Sequence, residues 1–238
     1  MVEFINLTKK KIVITGTSSG IGFELARKFL KSGNLVWGCS RSKSTILHKN
    51  YKHKVLNLEK KNHIEKWIKQ ISKDSSNEID ICVLNAAFYE RNLNYFETEQ
   101  NIIKTISVNL ISSILISKKI SKLMINNNRG MIVFFSSSAV VVKDIGTSTY
   151  SSSKIALETF AQILNKELKK FKIKIFIFRL NYLKTRLSKD LKKTEVRKLL
   201  KKFKTNIFNN TNKVYSKIIE LFKKNINTQN ILISDKLR

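Results

Sequence analysis

Thr15-Gly16-Thr17-Ser18-Ser19-Gly20-Ile21-Gly22 decides the fold. It follows a short apolar, β-branched run, Lys11–Thr15, and opens an amphipathic stretch, Gly20–Ser32, on which Leu25, Phe29 and Leu30 share one face. Gly16 lets the chain turn sharply after the strand, and Gly20 removes a side chain where a pyrophosphate must approach. Gly22 lets the helix lie close to the sheet. The start of the helix adds free N–H groups and the positive end of its dipole. Strand and helix both stand where a phosphate-binding turn needs them, which favours that reading over an ordinary glycine turn.

On either side, short β-branched runs alternate with amphipathic stretches, the pattern of βαβ units. Strands are predicted at Lys11–Thr15, Leu35–Cys39, His53–Asn57, Ile79–Leu84, Gly130–Phe135, Lys174–Phe178 and Asn230–Ser234. Helices are predicted near Gly20–Ser32, Lys60–Ser72, Gln100–Ile125, Thr149–Lys170 and Asn212–Lys224. This order gives an α/β fold of the Rossmann type: a doubly wound, mostly parallel seven-stranded sheet with helices on both faces. Its ligand sits beyond the carboxyl ends of the strands. No linker or repeat divides the 238 residues, so one domain spanning 1–238 is expected.

The formal charge of +29 invites a nucleic-acid or anionic-membrane reading. The cations are nearly all lysine, whereas readers of bases and phosphates favour the two-pronged guanidinium, and they are dispersed rather than striped. Asn, Ile, Phe and Lys are abundant while Pro is absent, a joint skew that AT-rich codons would produce. A drifted surface is therefore preferred over a nucleic-acid interface. No apolar run approaches the roughly 20 residues of a membrane span, and the N-terminal residues lead us to expect no signal peptide. Cys39 and Cys82 are too few for a disulfide framework and read as buried thiols of a reducing, cytoplasmic compartment. No metal is called for.

The three residues between Gly16 and Gly20 set this turn apart from the fingerprint of the larger dehydrogenases. The turn resembles the Thr-Gly-x-x-x-Gly-x-Gly of the short-chain dehydrogenase/reductase family, and the likeness runs from Lys11 to the C-terminus. It implies that Gly16, Ser18, Ser19, Gly20, Ile21 and Gly22 surround a nicotinamide dinucleotide. NAD-preferring relatives place an acid near the end of the second strand; here Ser40 and Arg41 stand there. A hydroxyl and a guanidinium can bind a 2′-phosphate that a carboxylate would repel, so NADP(H) is expected, with NAD(H) possible. Asn57, beside Leu58, matches an adenine-contacting aspartate. Asn85-Ala86-Ala87 resembles the family's Asn-Asn-Ala-Gly, with Ala87 adding a methyl beside the cofactor.

Tyr150-Ser151-Ser152-Ser153-Lys154 matches the family's Tyr-x-x-x-Lys. Four residues apart on a helix, the two side chains share a face. Reduction of a ketone needs a proton at its oxygen, and a neighbouring ammonium makes a phenol a better donor. By resemblance, Lys154 also bonds the nicotinamide ribose. Ser137 lies thirteen residues before Tyr150 and matches the serine that orients the substrate oxygen, with Ser136 and Ser138 as neighbouring alternatives. Asn109 matches the asparagine of a water-linked proton relay. After the sixth strand, Leu180-Asn181 replaces the family's Pro-Gly, while Leu183 and Thr185 keep the place where the nicotinamide amide docks.

The likeness is to 3-oxoacyl-carrier-protein reductases and other bacterial ketoreductases. It implies hydride transfer between the nicotinamide and a small-molecule carbonyl or alcohol, anionic or carrier-bound in one reading. A substrate lid is expected near residues 186–210, where Leu187, Leu191, Leu199, Leu200 and Phe203 could form an apolar face. The many lysines opposite are read as a solvated face in preference to an anion trap. A homodimer or homotetramer is implied, built partly on the helices of Asn109 and Tyr150; Ile106, Leu110, Ile111, Ile114 and Leu115 give the first of these spare apolar surface. Two alternatives use the same scaffold without catalysis: a basic nucleic-acid-binding protein and a cofactor-sensing subunit.

Overall fold

The computed structural model describes residues 7–180, 211–223 and 232–233. Seven parallel strands form one sheet in the order β3-β2-β1-β4-β5-β6-β7. They are β1 (Lys11–Thr15), β2 (Leu35–Ser40), β3 (Tyr51–Val55), β4 (Ile81–Leu84), β5 (Gly130–Ser137), β6 (Ile173–Leu180) and β7, described over Leu232–Ile233. Seven helices are described: α1 (Gly20–Lys31), α2 (Lys61–Asp74), α3 (Glu99–Ile106), α4 (Ser112–Asn126), α5 (Ala139–Val142), α6 (Ser148–Leu168) and α7 (Thr211–Lys223). The strand order reverses between β1 and β4, which opens a crevice above their carboxyl ends.

Alternation along the strands feeds two cores. Ile12, Ile14, Ile81, Val83, Met131, Val133 and Phe176 pack with Leu25 and Phe29 of α1 and Ile218 of α7. Val13, Cys82, Ile132, Phe134, Ile175 and Ile177 pack on the other face with α2, α4 and α6 through Trp67, Ile116 and Leu157. With both faces covered, these strands read as nearly unbroken apolar runs. Edge strand β3 is the exception. Lys52 and Lys54 alternate along it and leave no apolar run, and the register Val36↔Tyr51 starts the strand two residues before the predicted His53.

Two further corrections bear on the site. β5 and β6 run on to Ser137 and Leu180, because Ser136↔Arg179 and Ser137↔Leu180 remain in register; Ser137 ends the strand rather than following it. The helix expected to run unbroken over Gln100–Ile125 is widened to a π turn at Ser107–Ile111, between α3 and α4. Thr98 caps its start by accepting from the Asn101 N–H.

Candidate active site

A cavity of about 680 Å³ opens above the carboxyl ends of β1, β4 and β5. At one end lies the glycine turn. Gly16 and Gly20 have φ of +77° and +63°, a region glycine enters without strain. The turn is pinned to β2, since the N–H groups of Gly16 and Thr17 both donate to the Cys39 carbonyl. Tyr51 donates to the Thr17 hydroxyl and Ser44 to the Thr17 carbonyl. The first turn of α1 has neither a side-chain cap nor an acidic residue, so its N–H groups remain open to an anion.

Asn85 ties β4 to this turn. Its Nδ2 donates to the carbonyls of Thr15 and Gly16 at 2.8 and 3.2 Å, and the N–H groups of Asn85 and Ala86 both donate to Thr15 Oγ1. The supporting role of Thr15 was not read from the sequence, although a hydroxyl at the end of β1 was the available signal. Gly22 does not line the cavity. It packs beneath, where an added Cβ would stand 2.3 Å from the Gly16 oxygen.

Ser18, Ser19, Gly20, Ile21, Ser40, Arg41, Asn57, Leu58, Asn85, Ala86 and Ala87 all line the cavity, with Ser42 and Leu56 added at the Arg41 end. The sequence reading missed those two. The opposite end is walled by Ser136, Ser137, Ser138, Tyr150 and Lys154, together with Phe88, Tyr89 and Val142, for which no sequence signal stood out. Leu183, Thr185 and the lid stretch lie outside the described residues.

α6 presents Tyr150 and Lys154 to the cavity on successive turns. Lys154 is buried, and its Nζ donates to the Phe135 carbonyl at 2.9 Å and stands 5.9 Å from the centre of the Tyr150 ring. Burial pulls its pKa down to about 8, against the opposing charge of Glu158. The ring of Tyr89 meets that of Tyr150 edge-on at 4.8 Å. Ser137 Oγ accepts from the Ala139 N–H at 3.2 Å.

Asn109 stands behind the cavity wall, fully buried at the centre of the π turn. Its Oδ1 accepts from the Phe88 N–H at 2.7 Å, and its Nδ2 donates to the Phe88 carbonyl and to Ser153 Oγ. Ser153 in turn donates to the Tyr150 carbonyl. The wide turn disturbs the helical ladder, and hydroxyls occupy two of its carbonyls: Ser112 donates to Val108 and Ser113 to Asn109.

Residues 10–196 match the family model of short chain dehydrogenases. The chain belongs to that family. This short-chain dehydrogenase is 32% identical over 170 residues to the 3-oxoacyl-acyl-carrier-protein reductase of Rickettsia prowazekii, covering 69% of this chain and 68% of that one. It is 30% identical over 229 residues to the reductase of the same name from Buchnera aphidicola, covering 92% of each chain. A crystal structure of a short-chain dehydrogenase from Streptomyces avermitilis shares its fold, with a TM-score of 0.80 over 98% of this chain and 89% of that one at 18% identity. The protein is thus an oxidoreductase acting on the CH–OH/C=O couple, in a family that uses NAD(H) or NADP(H). Among the described residues no helix is long and apolar enough to cross a membrane.

Proposed function

We propose that this short-chain dehydrogenase is an NADP(H)-dependent ketoreductase in which Tyr150 protonates the substrate oxygen. One observation carries the reading: Tyr150, Lys154 and Ser137 wall one end of a cavity whose other end is the glycine turn. The cradle suits a dinucleotide, because positive-φ glycines and an uncapped, acid-free helix start face it. At the adenosine end, Ser40, Arg41 and Ser42 line the wall, and no aspartate or glutamate occurs between Glu24 and Glu59. That segment can meet a 2′-phosphate with donors and cations, and has no carboxylate to repel it.

When bound, the dihydronicotinamide supplies hydride; the protein supplies the proton. Tyr150 gives its phenolic proton to the substrate oxygen, which Ser137 holds by a hydrogen bond. The ammonium of Lys154 stabilises the phenolate left behind. Asn109 fixes Ser153 and the Phe88 backbone, and so sets where α6 presents the pair. As substrate we propose a 3-oxoacyl thioester, free or carrier-bound, following the named relatives.

Purified protein given NADPH, NADH and a short 3-oxoacyl thioester tests this. Oxidation of NADPH in preference to NADH is expected. Tyr150→Phe should lower turnover by about 10²–10⁴-fold with cofactor binding kept. Unimpaired activity of that variant would refute the assigned acid.

Assembly through α3–α4 and α6 is proposed as well. Ile103, Ile111, Ile155 and Ile163 are 65%, 46%, 43% and 52% exposed there, more apolar surface than a lone chain leaves uncovered without cause. Sedimentation as a monomer at micromolar concentration would contradict it.

A further inference from the structure

Ser40 ends β2 inside the cavity and is only 7% exposed. Its hydroxyl donates to the Ser42 carbonyl at 2.9 Å, and its Oγ lies 2.7 Å from Nε2 of His53 on β3. A hydroxyl has one proton. With that proton on the Ser42 carbonyl, the contact to His53 must be an N–H donated by the imidazole, so Nε2 carries the hydrogen. His53 is half-buried and does not itself line the cavity. It stands behind Ser40 and holds the serine oxygen in place, so that the hydroxyl proton can turn from the Ser42 carbonyl to a bound phosphate.

We propose that His53 is a positioning residue of the adenosine 2′-phosphate site, holding Ser40 for the phosphate and taking up a proton as NADP(H) binds. This rests on reading the cofactor as NADP(H). The surroundings explain why the proton waits for the ligand. On the sheet face shared by His53, β2 contributes Gly38 and Ser40, and β3 contributes Tyr51, whose ring lies 5.8 Å away and whose hydroxyl goes to Thr17. The loop from β2 to β3 carries Arg41, Lys43, His48 and Lys49. Lys52 and Lys54 alternate to the opposite face, where Lys52 pairs with Asp74 and Cys39 is buried. The sequence has no aspartate or glutamate between Glu24 and Glu59, and Asp74 is held by Lys52 on the opposite face, so among the described residues no carboxylate contacts His53 to favour its imidazolium. Burial also holds the His53 pKa below the ordinary histidine value. A phosphate on Ser40 reverses the balance by bringing negative charge within reach. A cofactor ending in a ribose 2′-hydroxyl brings none. His53 therefore separates NADP(H) from NAD(H), and does so more strongly as pH falls.

The test is titration calorimetry of the full chain with NADP⁺ and with NAD⁺, near pH 8 and near pH 6, for the native protein, His53→Leu and His53→Gln. Leucine removes both the donor and the charge, and should weaken NADP⁺ about tenfold while leaving NAD⁺ within about twofold. Glutamine can still donate to Ser40 but cannot ionise. It should keep NADP⁺ affinity near pH 8 and lose the tightening that the native protein gains near pH 6. Protonation of the 2′-phosphate itself, with a pKa of roughly 6, acts in the opposite sense and equally in all three proteins, so the comparison removes it. Melting by circular dichroism checks the fold; should the leucine variant not fold, the pH response of the glutamine variant decides. Equal NADP⁺ affinity in all three proteins at both pH values overturns the role of His53. If the native protein prefers NADP⁺ and the variants keep that preference unchanged, only this inference falls. If the native protein shows no preference for NADP⁺ over NAD⁺, the cofactor reading falls with it.

Discussion

Glu158, one helical turn beyond Lys154 on α6, is gripped by Arg179 of β6, whose Nε and Nη2 reach the two carboxylate oxygens at 2.7 and 2.5 Å. Tyr150, Lys154 and Glu158 thus repeat every fourth residue along one helix face, with the guanidinium closing the row. Burial lowers the Lys154 pKa to about 8, and the charge of Glu158 acts against that fall. Glu158→Gln removes the opposing charge, so Lys154 should lose its proton at lower pH. A reductase needing that ammonium would show its alkaline limb moved down by about half a unit or more. The pH profile of NADPH oxidation measures this, and an unmoved limb would separate Glu158 from the lysine.

Lys154 also gives a stability prediction whose sign depends on pH. The folded pKa of about 8 lies below the unfolded value of 10.5, so the folded chain binds its proton less tightly. The penalty is fully present below about pH 8 and is relieved as pH rises toward 10.5. At roughly 1.4 kcal/mol per unit it amounts to about 3 kcal/mol. Lys154→Met removes the penalty but leaves the Phe135 carbonyl without its donor, at a cost of about 1 kcal/mol. The inactive variant should therefore be more stable than the native chain at pH 7, by about 1–2 kcal/mol, with the advantage gone near pH 10. Urea unfolding at both pH values checks it; destabilisation at pH 7 would mean that packing of the alkyl chain outweighs the charge.

The interior of the sheet was legible because each strand there is covered on both faces and announces itself as an apolar run. Edge strand β3 was misplaced because its lysines look like loop, and with it went the chance to see His53 beside Ser40: that pair depends on the register between β2 and β3. Tyr150, Lys154 and Ser137 were read through their likeness to the family's motifs, the Tyr–Lys spacing being weak alone in a lysine-rich chain, and one helix and one strand end bring them to the same cavity. The π turn was not legible. It depends on Asn109 bonding the backbone of Phe88, a contact between distant segments that helical periodicity does not encode.

Asn109→Leu tests how far that contact holds the site. Leucine is close in size but leaves the Phe88 N–H and carbonyl without the partners they have now. Two part-buried backbone groups losing partners cost about 1–3 kcal/mol. The same substitution removes the amide donor from Ser153, leaving only its bond to the Tyr150 carbonyl to hold it, so turnover should fall even in the fraction that remains folded. Chemical denaturation gives the first quantity, and turnover per folded molecule gives the second. A variant as stable as the native chain would show that water replaces the amide at no cost.

The glycine turn offers a cleaner separation of sterics from backbone strain. Gly22 has no left-handed φ, so alanine is allowed there by its backbone, and helix propensity alone would favour it by about 1 kcal/mol. The added methyl would nonetheless lie 2.3 Å from the Gly16 oxygen and 2.5 Å from Asn85 Nδ2. The neighbours are the turn itself and the amide that pins it, so relief of the clash must move the cradle. Gly33 is the converse, with φ of +76° and open space around its Cβ position. Gly33→Ala should cost about 1 kcal/mol of stability and leave cofactor affinity unchanged. Gly22→Ala should weaken NADP⁺ binding by tenfold or more, on the order of 1.4 kcal/mol. Calorimetric titration of both variants compares them directly. Equal affinities would mean that α1 can lift from the sheet without disturbing the turn, and that its closeness to β1 matters for packing alone.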